Sequence, residues 1–231
     1  MLLLADIVAT ADALTATRSR SAKISLVADL LRRAAVDDLR AVVGLLIAAP
    51  RQGRLGVGWR SIRSRAAAHA EVATLTVGDV DAAFERLAGL AGDGVGARRA
   101  AELDALAASA TAAEWDFLVR VILGELRTGA LQGVVVDAIA AAADRSLAAV
   151  RRAAMLTGDL GETAVIALSG NASDLDAVAL EVGRPVLPML AGSAQTVLEA
   201  LAATGPAVVE YKLDGARIQV HRRGEDVRVY T

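Results

Sequence analysis

Cysteine is absent from this 231-residue chain, which rules out a disulfide framework and a thiolate zinc site. Aromatic residues are scarce as well, at 3% against 55% hydrophobic overall, so any core must be built mainly from Ala, Leu and Val. That composition favours packed helices, because alanine has the best helix propensity and lets backbones approach closely. No apolar run is long enough to span a bilayer: the uncharged stretch from Ala41 to Pro50 is far too short. Met1 to Ala16 lacks a basic leader and carries Asp6 and Asp12, which argues against a signal peptide. A cytoplasmic protein without a membrane partner is expected. Nor is there a strong net charge: the balance is −2, so the whole molecule does not advertise a polyanionic partner. Its distribution does so modestly. Met1 to Ala70 carries eleven basic residues against five acidic, whereas Glu71 to Val182 carries eight against seventeen.

The length suits one or two domains with real cores. Helical spacing of apolar residues runs from Leu3 to Thr15 and from Ala22 to Arg33, with Ser21 as the expected N-cap of the second helix. Asp37 or Asp38 would cap a third helix reaching Ala49 and stopped by Pro50. Between the first two helices, Arg18, Arg20 and Lys23 form a basic run that either contacts phosphate or is an ordinary solvated junction.

The next stretch, from Arg51 to Arg65, is a glycine-rich loop feeding a basic helix. Gly53, Gly56 and Gly58 would let backbone amides approach a phosphate, with Arg54, Arg60 and Arg63 supplying charge. It is no Walker loop, since no Gly-Lys-Ser/Thr follows, and Trp59 alone makes no stacking platform. A tight loop with Trp59 plugging the core is the competing account. His69 has no metal-ligand partner nearby.

Helical periodicity resumes from Val80 to Leu90 behind Asp79, then from Ala97 to Ala108, with a flexible break from Gly89 to Gly96. Thr111-Ala112-Ala113-Glu114 matches a capping box and opens a helix through Trp115, Leu118, Ile122 and Leu126. Past its end, Gly129 suits a left-handed C-terminal cap. Arg127 sits where it could reach a phosphate or answer the helix dipole. Val134 to Ala143, Leu147 to Leu156 and Leu160 to Leu168 complete an all-helical region. A proline-bearing apolar segment from Gly183 to Ala191 follows, and Thr196 to Ala203 reads as one more helix.

Near the end stands Glu210-Tyr211-Lys212-Leu213-Asp214-Gly215-Ala216-Arg217. The apolar run Ala207 to Val209 leads in and the alternating run Ile218 to His221 leads out, so the pattern predicts strand, tight turn, strand. Alternation would put Glu210 and Lys212 on one face, and Arg217 with Gln219 and His221 on one face of the next strand. A surface hairpin with solvated charges accounts for the same residues.

Lys212-Leu213-Asp214-Gly215 followed by Arg217, with Glu210 two residues ahead, resembles the nucleotidyl-transfer motif of the ATP-dependent DNA ligases. The motif core also occurs in messenger-RNA capping enzymes and RNA ligases. In the ligases the lysine amine attacks the α-phosphate of ATP, expels pyrophosphate and holds AMP through a phosphoramide bond. The resemblance implies that Lys212 is the nucleophile, that Glu210 accepts from the adenine amino group, that Arg217 contacts the nucleotide and that Asp214 orients or meets metal and water. Lysine is almost wholly protonated at neutral pH, so a desolvated, cationic pocket is needed to free the amine.

Leu126-Arg127-Thr128-Gly129 after a helix is similar to a DNA-contacting signature in the N-terminal domain of the same family, and Gly158-Asp159-Leu160-Gly161 to its helix junction. The segment from Gly183 resembles the entry of the adenylation domain. The expected fold is therefore mainly α: a helical DNA-binding domain over 1–182, then the first β-strands of a nucleotidyltransferase domain over 183–231. The sequence stops at Thr231 within an apparent strand from Asp226 to Tyr230, and the family pattern implies further chain carrying the magnesium ligands. The expected parent is a monomeric enzyme that uses ATP and Mg2+ to seal nicks in duplex DNA. The alternatives are a DNA-clamp module with a vestigial motif and an RNA-ligase or capping-type nucleotidyltransferase.

Overall fold

The computed structural model describes residues 1–63, 68–128, 132–188, 192–211 and 214–231, with side chains throughout except at 60 and 63. The chain is mainly α, as its composition predicts. Helices α1 (Leu4–Ala16), α2 (Arg20–Arg33), α3 (Leu39–Leu46) and α4 (Trp59–Arg63) come first, with a 3-10 turn at Val36–Asp38. They are followed by α5 (Val77–Gly89), α6 (Val95–Ser109), α7 (Ala112–Ile122), α8 (Gln132–Ala143), α9 (Leu147–Thr157), α10 (Leu160–Ser169) and α11 (Ala172–Ala177). After these come α12 (Val197–Thr204) and an antiparallel hairpin of β1 (Gln219–Arg223) and β2 (Asp226–Tyr230).

Packing follows the apolar stripes. Helix α8 lies along α2 and against α9 and α10, and α10 in turn crosses α3. Val134, Val135, Val136, Ala138 and Ile139 of α8 are all buried, so this helix is apolar nearly all round and sits at the centre. Gly161 allows the α10–α3 crossing, because a Cβ there would lie 3.0 Å from the Arg40 Cα. The starts of α1 and α5 are stitched together by the Leu4 amide donating to the Leu75 carbonyl at 2.8 Å and the Val77 amide to Leu2 at 3.1 Å. One continuous core runs from Leu2 to Leu175, with Val178 packed on its edge.

Capping decides several boundaries. Thr111 accepts from the Glu114 amide at 3.3 Å while the Glu114 carboxylate takes the Thr111 amide at 2.8 Å, the predicted capping box. Four expectations shift. Ser19, not Ser21, caps α2: its backbone is extended and its hydroxyl accepts from the Ala22 amide, whereas Ser21 lies inside the first turn. Asp38 has helical backbone and makes no side-chain cap, because the 3-10 turn feeds directly into α3. Helix α3 stops at Leu46 rather than Ala49, with Ala48 turned to a φ of 51° before Pro50. Thr76 rather than Asp79 is the cap of α5, and Asp79 answers it from the third position.

The strand predicted ahead of the lysine motif is not formed. Residues 206–211 and 214–218 are irregular, and Val208, Val209 and Tyr211 are exposed. An extended segment becomes a strand only when a neighbour takes its backbone hydrogen bonds, and among the described residues the sheet has just β1 and β2. The runs after the motif do form strands, joined by the two-residue turn Gly224-Glu225 with Gly224 at a φ of 62°.

Candidate nucleotide and nucleic-acid sites

Lys212 and Leu213 lie outside the described residues, as does Gly129. Around the motif, Glu210, Asp214 and Arg217 are all exposed. Arg217 precedes β1 rather than lying in it, yet it lines the same groove as Gln219, as strand alternation implied. That groove, about 680 Å³, is walled by Pro185 to Pro188 of the connecting segment and closed by Val229 and Tyr230. His221 points to a separate cleft beside Gly183 and Arg223.

The connecting segment is pinned on both sides. Towards the hairpin, Gln219 takes the Val186 amide at 2.9 Å and returns a bond to the Val186 carbonyl at 2.6 Å. The Gly183 amide donates to His221 Nδ1 at 2.8 Å, and the Tyr230 hydroxyl donates to the Gly183 carbonyl at 2.6 Å. Towards the helices, the Leu187 amide donates to the Met155 carbonyl at 3.0 Å, and Glu162 bridges Arg184 (3.2 Å) and Arg40 (3.4 Å). Gly158, in left-handed backbone, leaves room for Pro185: a Cβ there would lie 2.9 Å from the Pro185 carbonyl oxygen. No sequence signal marked Gln219 or Tyr230, since their partners lie 33 and 47 residues away.

On the helical side, the glycine-rich loop lies against the end of α7. Gly53 to Val57 and Val121 to Gly124 share a groove of about 470 Å³. Arg54 is exposed beside buried Leu55, and a Cβ on Gly56 would lie 2.7 Å from the Arg99 guanidinium beneath it. A Cβ on Gly58 would point into open space. Trp59 is half exposed rather than plugging the core, and the Arg60 and Arg63 side chains fall outside the described set. His69 Nδ1 meets the Ala107 carbonyl at 3.0 Å, a structural contact.

Helix α7 ends earlier than its apolar pattern suggested, and at a different glycine. The Glu125 amide donates to Arg120 at 2.8 Å and the Gly124 amide to Val121 at 3.1 Å, with Gly124 at a φ of 68°. These two bonds define a Schellman cap, so Gly124 holds the left-handed position expected of Gly129. Downstream, Leu126 packs on the core and Thr128 is buried, which turns the intervening Arg127 outward.

Ion pairing sorts the basic residues. Arg51 is locked to Asp81 (2.7 Å) and Glu85 (3.0 Å), and the Asp81 hydrogen bond raises its pKa above the ordinary arginine value. Arg20 pairs with Asp137 at 2.7 Å, and Lys23 donates to the Thr128 carbonyl at 2.9 Å. Arg18, Arg54, Arg127 and Arg217 stand outside every hydrogen bond and ion pair among the described residues. A guanidinium left unpaired by its own fold is available to a phosphate. Among the described residues no group of three His, Asp or Glu side chains converges as a metal site, and no helix is long and apolar enough to cross a membrane.

Residues 59–140 match the family model described as DNA ligase N terminus, and residues 188–231 match that of the ATP dependent DNA ligase domain. A "Probable DNA ligase" of Pseudarthrobacter chlorophenolicus is 58% identical over 230 residues, covering 100% of this chain and 45% of that protein. One from Saccharopolyspora erythraea is 50% identical and one from Rhodococcus opacus 48% identical, each over 231 residues. The chain spans 45% and 46% of those two relatives, less than half of each. With both family models in this order on one chain, and relatives this similar along its full length, the protein belongs to the ATP-dependent DNA ligase family.

Proposed function

We propose that the full-length protein seals nicks in duplex DNA through a lysyl-AMP intermediate, with residues 1–182 gripping the duplex and 183–231 opening the adenylation domain. The observation that carries this reading is the lysine motif lying within the ligase-domain match, with unpaired Arg217 lining a groove beside it. The division near 182 is supported by the core, which ends at Leu175 and Val178.

In this reading Lys212 loses a proton and its amine attacks the α-phosphorus of ATP; a P–N bond forms as the bond to pyrophosphate breaks. Glu210 holds the adenine amino group, Asp214 orients the site, and Arg217 neutralises phosphate and favours the free amine. The AMP then passes to the 5′-phosphate of the nick, and attack by the 3′-hydroxyl expels it. Arg217, solvated and unpaired, fits a polyphosphate. A bound magnesium ion would supply charge neutralisation on the phosphates. Its protein ligands are not found as a cluster among the described residues. On the DNA, Arg54, Arg127 and the Gly56–Gly58 backbone contact phosphates, together with Arg60, Arg63 and Gly129, while Arg20 and Lys23 border the same surface. The protein works as a cytoplasmic monomer.

The test is to incubate the full-length protein with ATP labelled at the α-phosphate and magnesium, then denature it and follow covalent label. Wild type is expected to retain label and Lys212→Ala to lose it. Label retained by Lys212→Ala excludes this nucleophile, and no label on wild type favours the clamp module with a vestigial motif. Preference for GTP or RNA ends would move the assignment to capping enzymes or RNA ligases.

A further inference from the structure

The basic run at the start of α2 divides into residues with different partners. Arg20 and Lys23 are three positions apart and share one face of the helix. Lys23 reaches across to the connection between α7 and α8, and Arg20 to the start of α8 beyond it. Lys23 Nζ donates to the Thr128 carbonyl at 2.9 Å, on one flank of that connection. Arg20 donates to the Gly133 carbonyl at 3.2 Å on the other flank, and anchors itself on Asp137, which Arg151 of α9 also holds at 3.1 Å. Arg18, two residues before Arg20, is exposed and joins no such network.

We infer that Lys23, seconded by Arg20, is a positioning residue: it fixes the backbone that carries Arg127, and Arg127 makes the phosphate contact. This rests on the reading of the helical domain as a duplex-DNA grip. Three observations favour it over direct contact by Lys23. Lys23 is half-buried and its ammonium spends a hydrogen bond on a protein carbonyl, which a mobile phosphate-seeking lysine does not. The carbonyl it takes belongs to buried Thr128, adjacent to exposed Arg127. The connection leaves α7 through the Gly124 cap and, among the described residues, is held on the core before that point by the half-buried Leu126. Without Lys23, the segment loses a charge-assisted bond that sets the height of Arg127 above the surface.

A double-mutant cycle on the full-length protein decides this, with a fluorescent nicked DNA duplex as probe and anisotropy read over a series of KCl concentrations. Arg127→Ala is expected to weaken binding and to lower the slope of log affinity against log salt by about one. Lys23→Met is expected to weaken binding by on the order of tenfold, the worth of one charge-assisted bond misplaced. In the Arg127→Ala background Lys23→Met should add less than about twofold, because its effect runs through Arg127. Lys23→Arg, which keeps a donor for the carbonyl, should restore most of the affinity, and Arg20→Met provides a second variant that should also be non-additive with Arg127→Ala. Additive losses with the salt slope falling by about two in the double variant would assign Lys23 its own phosphate and overturn the inference. So would Lys23→Met binding as wild type does while Arg127→Ala does not. Should Arg127→Ala itself leave affinity and slope unchanged, the DNA-grip reading of this surface fails, whatever Lys23 does.

Discussion

The sharpest local constraints are single residues where one atom more would collide with backbone. Gly158 ends α9 at a φ of 67°, and the Pro185 carbonyl oxygen sits 2.9 Å from where its Cβ would be. Both facts bear on the same junction, because Leu187 bonds to Met155 just upstream in α9. Gly158→Ala should therefore cost about 2 kcal/mol, combining left-handed backbone strain with displacement of the connecting segment. Urea unfolding measures the loss, and limited proteolysis between 183 and 188 should become faster than in wild type. Unchanged stability would mean that the segment yields freely and is not seated on the helix junction. Residue-scale roles were partly legible in the sequence. A turn glycine after a helix could be expected, but Gly124 and Gly129 compete for it, and only the Glu125-to-Arg120 and Gly124-to-Val121 bonds separate them. The intramolecular bonds of Arg20 and Lys23 could not be read from the sequence, because their partners Gly133 and Thr128 lie 113 and 105 residues away.

At the scale of elements, local chemistry wrote the helices and non-local pairing wrote the sheet. The Thr111–Glu114 box was readable because all its bonds lie within four residues. The run 207–211 was misread because β-branched composition alone does not supply a neighbouring strand. Helix α5 offers a test of how much such a local device contributes. Thr76 accepts from the Asp79 amide at 3.1 Å, and the Asp79 carboxylate takes the Thr76 amide at 3.0 Å and its hydroxyl. These bonds, the hydroxyl's first, hold the Asp79 pKa below the ordinary carboxylate value. A depressed folded-state pKa gives stability that is present above the unfolded value, near 4, and lost as pH falls through the folded one. Asp79→Asn should thus lower stability at pH 7 and flatten the acid limb of the profile, while Thr76→Ala should cost about 1 kcal/mol at pH 7. Chemical denaturation at pH 7 and again near pH 3 checks both, and equal losses for Asp79→Asn at the two values would show that the carboxylate charge plays no part.

Across the whole molecule, the question is whether the helices form a unit that needs nothing downstream of 182. The buried apolar side chains from Leu2 to Leu175 make one cluster, and each such side chain fully buried is worth roughly 1.5–3 kcal/mol. Among the described residues, what joins this cluster to the later segment is polar and slight by comparison: the Leu187–Met155 backbone bond and the partly exposed Arg184–Glu162 pair. Exposed ion pairs contribute about 0–1 kcal/mol each. By contrast α12 buries no side chain, and Val197, Leu198, Val208 and Val209 lie open. A fragment of residues 1–182 should therefore unfold in one cooperative transition, with a midpoint within a few degrees of the helical transition of the longer chain, since about 1 kcal/mol moves a domain of this size by roughly 2–4 °C. It should also bind duplex DNA with affinity that falls steeply with salt, because the unpaired Arg18, Arg54 and Arg127 all remain in it. Calorimetry and a salt series of binding isotherms measure the two properties separately. Loss of the cooperative transition would place essential core beyond 182, whereas a well-folded fragment with salt-insensitive binding would show that those arginines do not meet phosphate.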